Sequence, residues 1–482
     1  MGSPQLQAQR LPFDFNDRCR EAYDLIFSLR LEEGKALLKE EIRQNPDNRI
    51  PYFLGNYADF FVCYIDEEEA VFAQLYEDKS NRLSALKQGD RNSPFYRYTQ
   101  AEVHLQWAMA RLKFEEYVGA FRDVRKAFKL LEENKRKFPE FRANDKSLGL
   151  LHGIIGAIPD QYKWGVKIVG LDGDIEQGMT EMRALLKYAS EEDFIFEQEA
   201  LVYYSLMALY LANDQEEAWN GIDTRRLELE DHLLNHFIAA SVAMRTGRND
   251  YAIEVLEKRP SGPEYHPFSY CEFMLGLAKL RRLDSDADQH LKKFAREFPG
   301  RNYLREAYQK LGWHYLIRGQ QNRYREMMEL SLERGVSVID DDKQAEAEAR
   351  ANELPNQHLL RARLLFDGGY YERAIEALDE MSEEGSRLRD QVEEAYRRGR
   401  IFHASKDFDQ AIPAYNSALS EGAELPYFFA ANAALQLGHI FEEKGDYDQA
   451  EHYFKQCLRL RDHEYRTSIS SKAKAGLNRI NR

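Results

Sequence analysis

The chain has 482 residues, of which 43% are hydrophobic and 31% charged, and a formal net charge of −15. This is a globular composition rather than a disordered one, and the chain is longer than one core needs. The acidic balance excludes a general nucleic-acid binder, which needs a basic face to displace counterions. No run reaches the ~18 uninterrupted apolar residues of a membrane-spanning helix.

The four cysteines, Cys19, Cys63, Cys271 and Cys457, are scattered and form no CxxC pair, so neither a zinc knuckle nor a dense disulfide framework is expected. Residues 1–10 contain GSPQLQAQ. This reads as a flexible terminus or tag remnant, or as the tail of a bacterial export signal cleaved after Ala8, although the basic and hydrophobic regions of such a signal do not precede it. Two locations follow, cytoplasmic or exported to the periplasm.

Residues 11–145 read as degenerate helical repeats. Ala22, Leu25, Gly34, Leu38 and Pro46 form one unit. Over 97–138 the periodicity predicts two long helices, with Trp107, Ala108, Phe121, Val124 and Ala127 turned toward each other. Residues 146–190 are a glycine-rich connection. Gly149, Gly153 and Gly156 give one helix a smooth face, Pro159-Asp160 breaks it, and Asp174 with Gln177 forms a capping pair that opens the next helix.

Residues 191–335 return to degenerate repeats, at Ala240 with Ala252 and Leu256, at Leu275-Gly276 with Ala295, and at Tyr308, Leu311, Gly312 and Tyr315 with Gly319 in the turn and Met328 beyond it. Residues 336–354 are an acidic insertion containing Asp340-Asp341-Asp342, which either lengthens a helix or forms a solvated loop. From 355 to 482 the units are regular: Ala362, Leu365, Ala374 and Leu378; then Gly399, Phe402, Ala411, Tyr415 and Ala418; then Ala434, Leu437, Gly438, Phe441, Ala450, Phe454 and Cys457. Gly368-Gly369, Ser405 to Asp407 and Lys444-Gly445-Asp446 are the turns, with glycine stopping one helix and aspartate capping the next.

This spacing is that of tetratricopeptide repeats. Small residues let two helices approach, and aromatic residues fill the space between them. The expected fold is all-α, a right-handed solenoid of paired helices whose first helices line a concave surface.

A finer resemblance is carried by Gly170-Leu171-Asp172-Gly173-Asp174 with Gly178, Met182 and Arg183, and by Ala101-Glu102, Leu105, Ala108, Phe114, Phe121 and Arg125. On these residues the chain resembles the tetratricopeptide repeat protein 39 family, which includes the yeast inclusion-body-clearance protein, as a distant, bacterial-looking member. The resemblance covers most of the chain from about residue 95, at low identity. It implies a non-catalytic helical adaptor with links to lipid metabolism, lipid droplets or aggregate handling.

The candidate binding residues lie at inward positions of the first helices of the last units: Arg363, Tyr396, Arg400, His403 and His439. Arginines beside aromatic and imidazole groups suit a carboxylate or an acidic peptide. The set departs from the familiar carboxylate clamp of lysine and asparagine, and each residue alone also reads as a solvated surface side chain. The expected partner is therefore a protein or peptide, not a nucleic acid.

Competing chemistries have less behind them. His232 and His236 sit one helical turn apart, but Leu233 stands where a zincin needs glutamate and no third ligand follows, so no metal is expected. A hydrolase built on that pair is a minor alternative. Asp172, Asp174 and Glu176 resemble a calcium loop whose last position would be Arg183, and helix capping explains them better. No phosphate loop, dinucleotide motif or nucleophile elbow occurs, so no catalytic residue and no cofactor are assigned. The apolar segment 148–171, with Lys163, Trp164 and Lys167, reads either as a lipid-surface segment of an adaptor or as a buried helix pair; the absence of a polar face from Leu150 to Ile158 favours burial.

Overall fold

The computed structural model describes residues 11–158, 170–223, 226–381 and 387–481. Among them the fold is all-α, with one isolated β-bridge between Leu11 and Gly89 as the only extended pairing. Residues 1–10, and Pro159, Asp160, Lys163, Trp164 and Lys167 of the apolar segment, lie outside the described residues.

The chain divides into two compact units. The first comprises the described residues through Gly276 with Gln289–Ala307 and Arg334–Gln344; the second comprises Leu277–Asp288, Tyr308–Glu333 and Ala345 onward.

In the first unit, sequential helices pack as neighbours, including Asp17–Phe27 on Leu31–Gln44 and Phe95–Lys113 on Tyr117–Lys137. The core is aromatic, with Tyr23, Phe53, Tyr57, Tyr98, Trp107 and Phe196 all buried. Inside it lies a charged group. Lys146 Nζ is 2.9 Å from Glu102 Oε2 and 2.7 Å from Glu199 Oε1. Tyr23 and Tyr57 donate to Glu199 Oε2 at 3.1 and 3.0 Å, and Ser147 donates to Glu102. The Lys146 ammonium also lies 5.1 Å from the ring of Phe196. Full burial of two carboxylates is tolerated only because their lone pairs are taken up by the ammonium and the hydroxyls.

The helix Tyr117–Lys137 corrects the sequence expectation. Its inward residues are Gly119, Ala120, Asp123, Ala127, Phe128 and Leu131, whereas Phe121 is exposed and Val124 half-buried. Asp123 sets this register. It is buried because it accepts from Lys79 Nζ at 2.8 Å and from Arg111 Nε at 3.0 Å, with His104 Nδ1 2.6 Å away. An ion cluster fixes the helix rotation that an apolar count alone assigns to Phe121.

The glycine-rich connection is a close helix crossing, as its smooth face predicts. The helices Ala143–Gly156 and Ile175–Ala189 meet through Gly149, Gly153 and Gly178. A Cβ on Gly178 would stand 2.5 Å from the Gly149 carbonyl and 2.7 Å from the Gly153 nitrogen. The expected cap is present: the Asp174 carboxylate accepts from Gln177 N at 2.8 Å. Leu148, Leu150, Leu151 and Ile155 are buried, so the described part of the apolar segment is mostly consumed by packing.

The second unit shows the repeats in regular form. Gly312, Gly399 and Gly438 on first helices face Met328, Tyr415 and Phe454 on second helices, close enough that a Cβ would force those side chains aside. Gly319, Gly369 and Gly445 adopt positive φ in the turns, at 73°, 82° and 76°. Asp407 and Asp446 then cap the following helices, accepting from Gln410 N at 3.2 Å and Gln449 N at 3.1 Å. Cys457 is buried beneath the last pair, as its repeat position predicts.

The acidic insertion forms a helix of its own, Asp340–Ala351, rather than a loop or the extension of a neighbour. Two of its acids are structural. In the first unit, Asp342 accepts from Tyr303 N at 2.7 Å and Glu306 N at 3.0 Å, which caps the start of the helix Leu304–Leu316. In the second unit, Glu348 accepts from Trp313 Nε1 at 2.8 Å, Tyr324 Oη at 3.0 Å and Gln309 Nε2 at 2.7 Å.

Candidate functional site

The first helices of successive repeats in the second unit touch through a ladder of side chains. The Arg363 guanidinium lies 4.7 Å above the ring of Trp313. That of Arg400 lies 4.6 Å above the ring of Phe366 and donates to Tyr396 Oη at 3.2 Å. The same hydroxyl accepts from Asn432 Nδ2 at 2.8 Å. The contacts Arg363–Trp313, Arg400–Phe366 and Tyr396–Asn432 each join one first helix to the next.

The rung positions follow from the small residues. Trp313, Arg363, Arg400 and His439 each directly follow the residue that lets their helix pair close, namely Gly312, Ala362, Gly399 and Gly438. With that small residue turned toward the second helix, the next residue points about 100° away around the first helix, to a different face.

Three other arginines of the unit are matched to acids. Arg361 pairs with Glu380 at 2.6 Å, Arg398 with Asp379 at 2.8 Å, and Arg479 with Glu442 at 2.7 Å. Arg400 has no carboxylate within ion-pairing distance among the described residues, and Arg363 reaches only Asp367, at 3.9 Å. Both guanidiniums rest on aromatic faces, which stabilise the cation through the ring quadrupole.

The two histidines of the set are held in neutral form. Burial, reinforced by Lys406, pushes the His403 imidazole down to about 4. Its ring sits edge-on to Phe408 and Tyr415. Burial also lowers His439, opposed by its hydrogen bond to Glu442 at 3.3 Å, and its ring meets Phe454 edge-on at 5.2 Å. Of the five residues singled out in the sequence, Arg363, Arg400, His403 and His439 are half-buried, whereas Tyr396 is buried and offers its hydroxyl to Arg400 and Asn432. Trp313, Phe366 and Asn432 were not singled out. Their signal was present in the repeat register, which places Trp313 at the position of Arg363 and Phe366 at that of His403.

His236 Nδ1–H donates to the His232 carbonyl at 3.1 Å, and His232 lies 3.5 Å from Glu228. Burial lowers the pKa of both imidazoles. Among the described residues no group of three or more His, Cys, Asp or Glu is arranged to hold a metal ion, and no helix is long and apolar enough to cross a membrane.

The tetratricopeptide repeat family matches residues 391–463, which span the helices Leu388–Ala404 to Tyr447–Arg459. No curated protein matches the chain. Among solved structures the chain is similar to the yeast Tom70 crystal structure, at 14% identity and a TM-score of 0.36, over 96% of this chain and 89% of that one. It is also similar to the APC/C hetero-tetramer Cut9–Hcn1, at 12% identity and a TM-score of 0.26, over 92% of this chain and 86% of that one. Residues 391–463 are tetratricopeptide repeats, and the described residues form an all-α fold of packed helices.

Proposed function

We propose that this protein is a non-catalytic scaffold whose second unit holds an extended, carboxylate-bearing segment of a partner protein along the first-helix row. The observation that carries this reading is the pair Arg363 and Arg400, stacked on Trp313 and Phe366, of which Arg363 reaches only Asp367, at 3.9 Å, and Arg400 no carboxylate among the described residues. A carboxylate approaching either guanidinium edge completes a charge-assisted, bidentate pair. His403 and His439, held neutral, add hydrogen-bonding capacity without adding charge. Tyr396 acts through Arg400, fixing the rung rather than meeting the partner.

The test is a pull-down comparing wild type with R363E/R400E, with circular dichroism confirming that both are equally helical. Loss of specific partners from the double variant supports the groove. Identical partner sets in both proteins sink it.

The resemblance to the tetratricopeptide repeat protein 39 family, carried by residues 170–183 and 101–125, is compatible with an adaptor role. A lipid-facing role for 148–171 has little support in its described part, where Ile154 alone among the large apolar residues is exposed. Liposome flotation of the intact protein separates the two readings. Flotation that survives R363E/R400E would favour the lipid role.

A further inference from the structure

The outward face of the helix Tyr117–Lys137 in the first unit joins two features that the repeat packing does not use. Its first turn presents Tyr117, Val118 and Phe121, which are 59%, 74% and 44% exposed. Beyond them Arg122, Arg125, Lys126, Lys129 and Arg136 are exposed along the same helix. At the helical rise, Arg122 to Arg136 covers about 21 Å.

Among the described residues, Arg122, Lys126, Lys129 and Arg136 have no carboxylate within ion-pairing distance. On the same helix Lys135 pairs with Asp145 at 2.8 Å, and Glu133, which lies between Lys129 and Arg136, pairs with Arg97 at 3.3 Å. An unmatched cationic row is conspicuous on a protein of net charge −15 because it gathers local positive potential where the overall field is negative.

We propose that this face is a docking strip for an acidic linear segment of a partner protein, anchored by an apolar residue cluster at one end. The anchor covers Tyr117, Val118 and Phe121, and the acidic run lies along Arg122, Lys126, Lys129 and Arg136. The layout favours a linear chain over a bilayer. A membrane lying along the helix would meet apolar side chains only at its first turn. A membrane meeting that turn end-on would leave Arg136 beyond the ~10 Å over which exposed charges act in ordinary salt. This strip is independent of the row in the second unit.

The probe is a fluorescein-labelled peptide carrying Leu-Phe-Leu before about twelve glutamates, enough to span the row at ~3.3 Å per extended residue. A companion peptide replaces the three apolar residues by serine, and vesicles of phosphatidylserine and phosphatidylcholine test the bilayer. Because every substituted side chain is exposed, R122E/K126E/K129E and V118S/F121S should fold, which circular dichroism checks. Anisotropy is expected to show the apolar-ended peptide bound about tenfold tighter than its companion, with each variant losing about that factor and affinity falling as salt rises. Absence of binding, equal affinity for both peptides, or unchanged affinity in either variant overturns the proposal. So does tighter binding to the anionic vesicles that depends on these same residues, which would assign the strip to a bilayer.

Discussion

The Lys146 ammonium lies 2.7 Å from the Glu199 carboxylate with both side chains sealed inside the first unit. Glu102, 2.9 Å from the same ammonium, is the second acid of the group. Burial raises the Glu102 carboxyl, while Lys146 and the Ser147 hydroxyl pull it back. The group ties the helix Phe95–Lys113 to Ala143–Gly156 and Glu197–Met207, three elements distant in sequence.

Lys146→Met removes the ammonium that the two carboxylates share. A buried charge left without its partner costs about 3–5 kcal/mol. Urea unfolding should show a loss in that range. The triple variant K146M/E102Q/E199Q should recover part of it, since the uncompensated charge is then gone. A loss under about 1 kcal/mol for K146M would mean that the carboxylates are solvated after all.

Gly178→Ala tests the close helix crossing. The added methyl meets backbone, at the Gly149 carbonyl and the Gly153 nitrogen, and backbone cannot swing aside as a side chain can. Overpacking of this kind costs about 1–3 kcal/mol. Gly438→Ala meets the ring of Phe454 instead, so its cost is expected to be smaller. Thermal melts of the two variants rank them, and a G178A protein as stable as wild type would refute the crossing.

His403 predicts an acid-side weakening. Its folded value, about 4, lies below the ordinary 6.5 because burial disfavours the imidazolium. The unfolded chain therefore binds the proton more readily. The neutral-imidazole contribution to stability is fully present above the unfolded value and is lost as pH falls from about 6.5 toward 4. His403→Gln should flatten that part of the melting-temperature profile relative to wild type. Parallel profiles for the two proteins would show that His403 is solvated in the folded state.

Arg400→Lys keeps the charge but removes the planar group that stacks on Phe366 and presents a fork. If the row grips a carboxylate bidentately, partner affinity should fall by about tenfold, the worth of one good charge-assisted bond. Titration of a partner recovered in the pull-down measures this. Equal affinities for wild type and R400K would leave only a point-charge role for this residue.

The repeat spacing was readable in the sequence because the tetratricopeptide pair needs a small residue opposite an aromatic one. Gly399 with Tyr415 and Gly438 with Phe454 state that need locally. The turns were readable for the same reason, since Gly319, Gly369 and Gly445 adopt a conformation that few other residues tolerate. The cap at Asp174 and the smooth face of Gly149 and Gly153 are likewise short-range features. Phe121 misled because apolarity alone does not fix helix rotation when a buried ion cluster at Asp123 competes for the inward face.

The sequence by itself therefore determined the helix pairs, their turns and the positions available on each first helix, all of which depend on neighbours within about forty residues. Tertiary structure alone decided which charges are matched. It brought Lys146 to Glu102 and Glu199, turned the acids of the insertion into a cap and a hydrogen-bond acceptor, and left Arg400 on an aromatic face. The reason is physical: a helix pattern fixes local backbone geometry, whereas the partner of a charged side chain is whatever residue the fold carries to within a few ångströms of it.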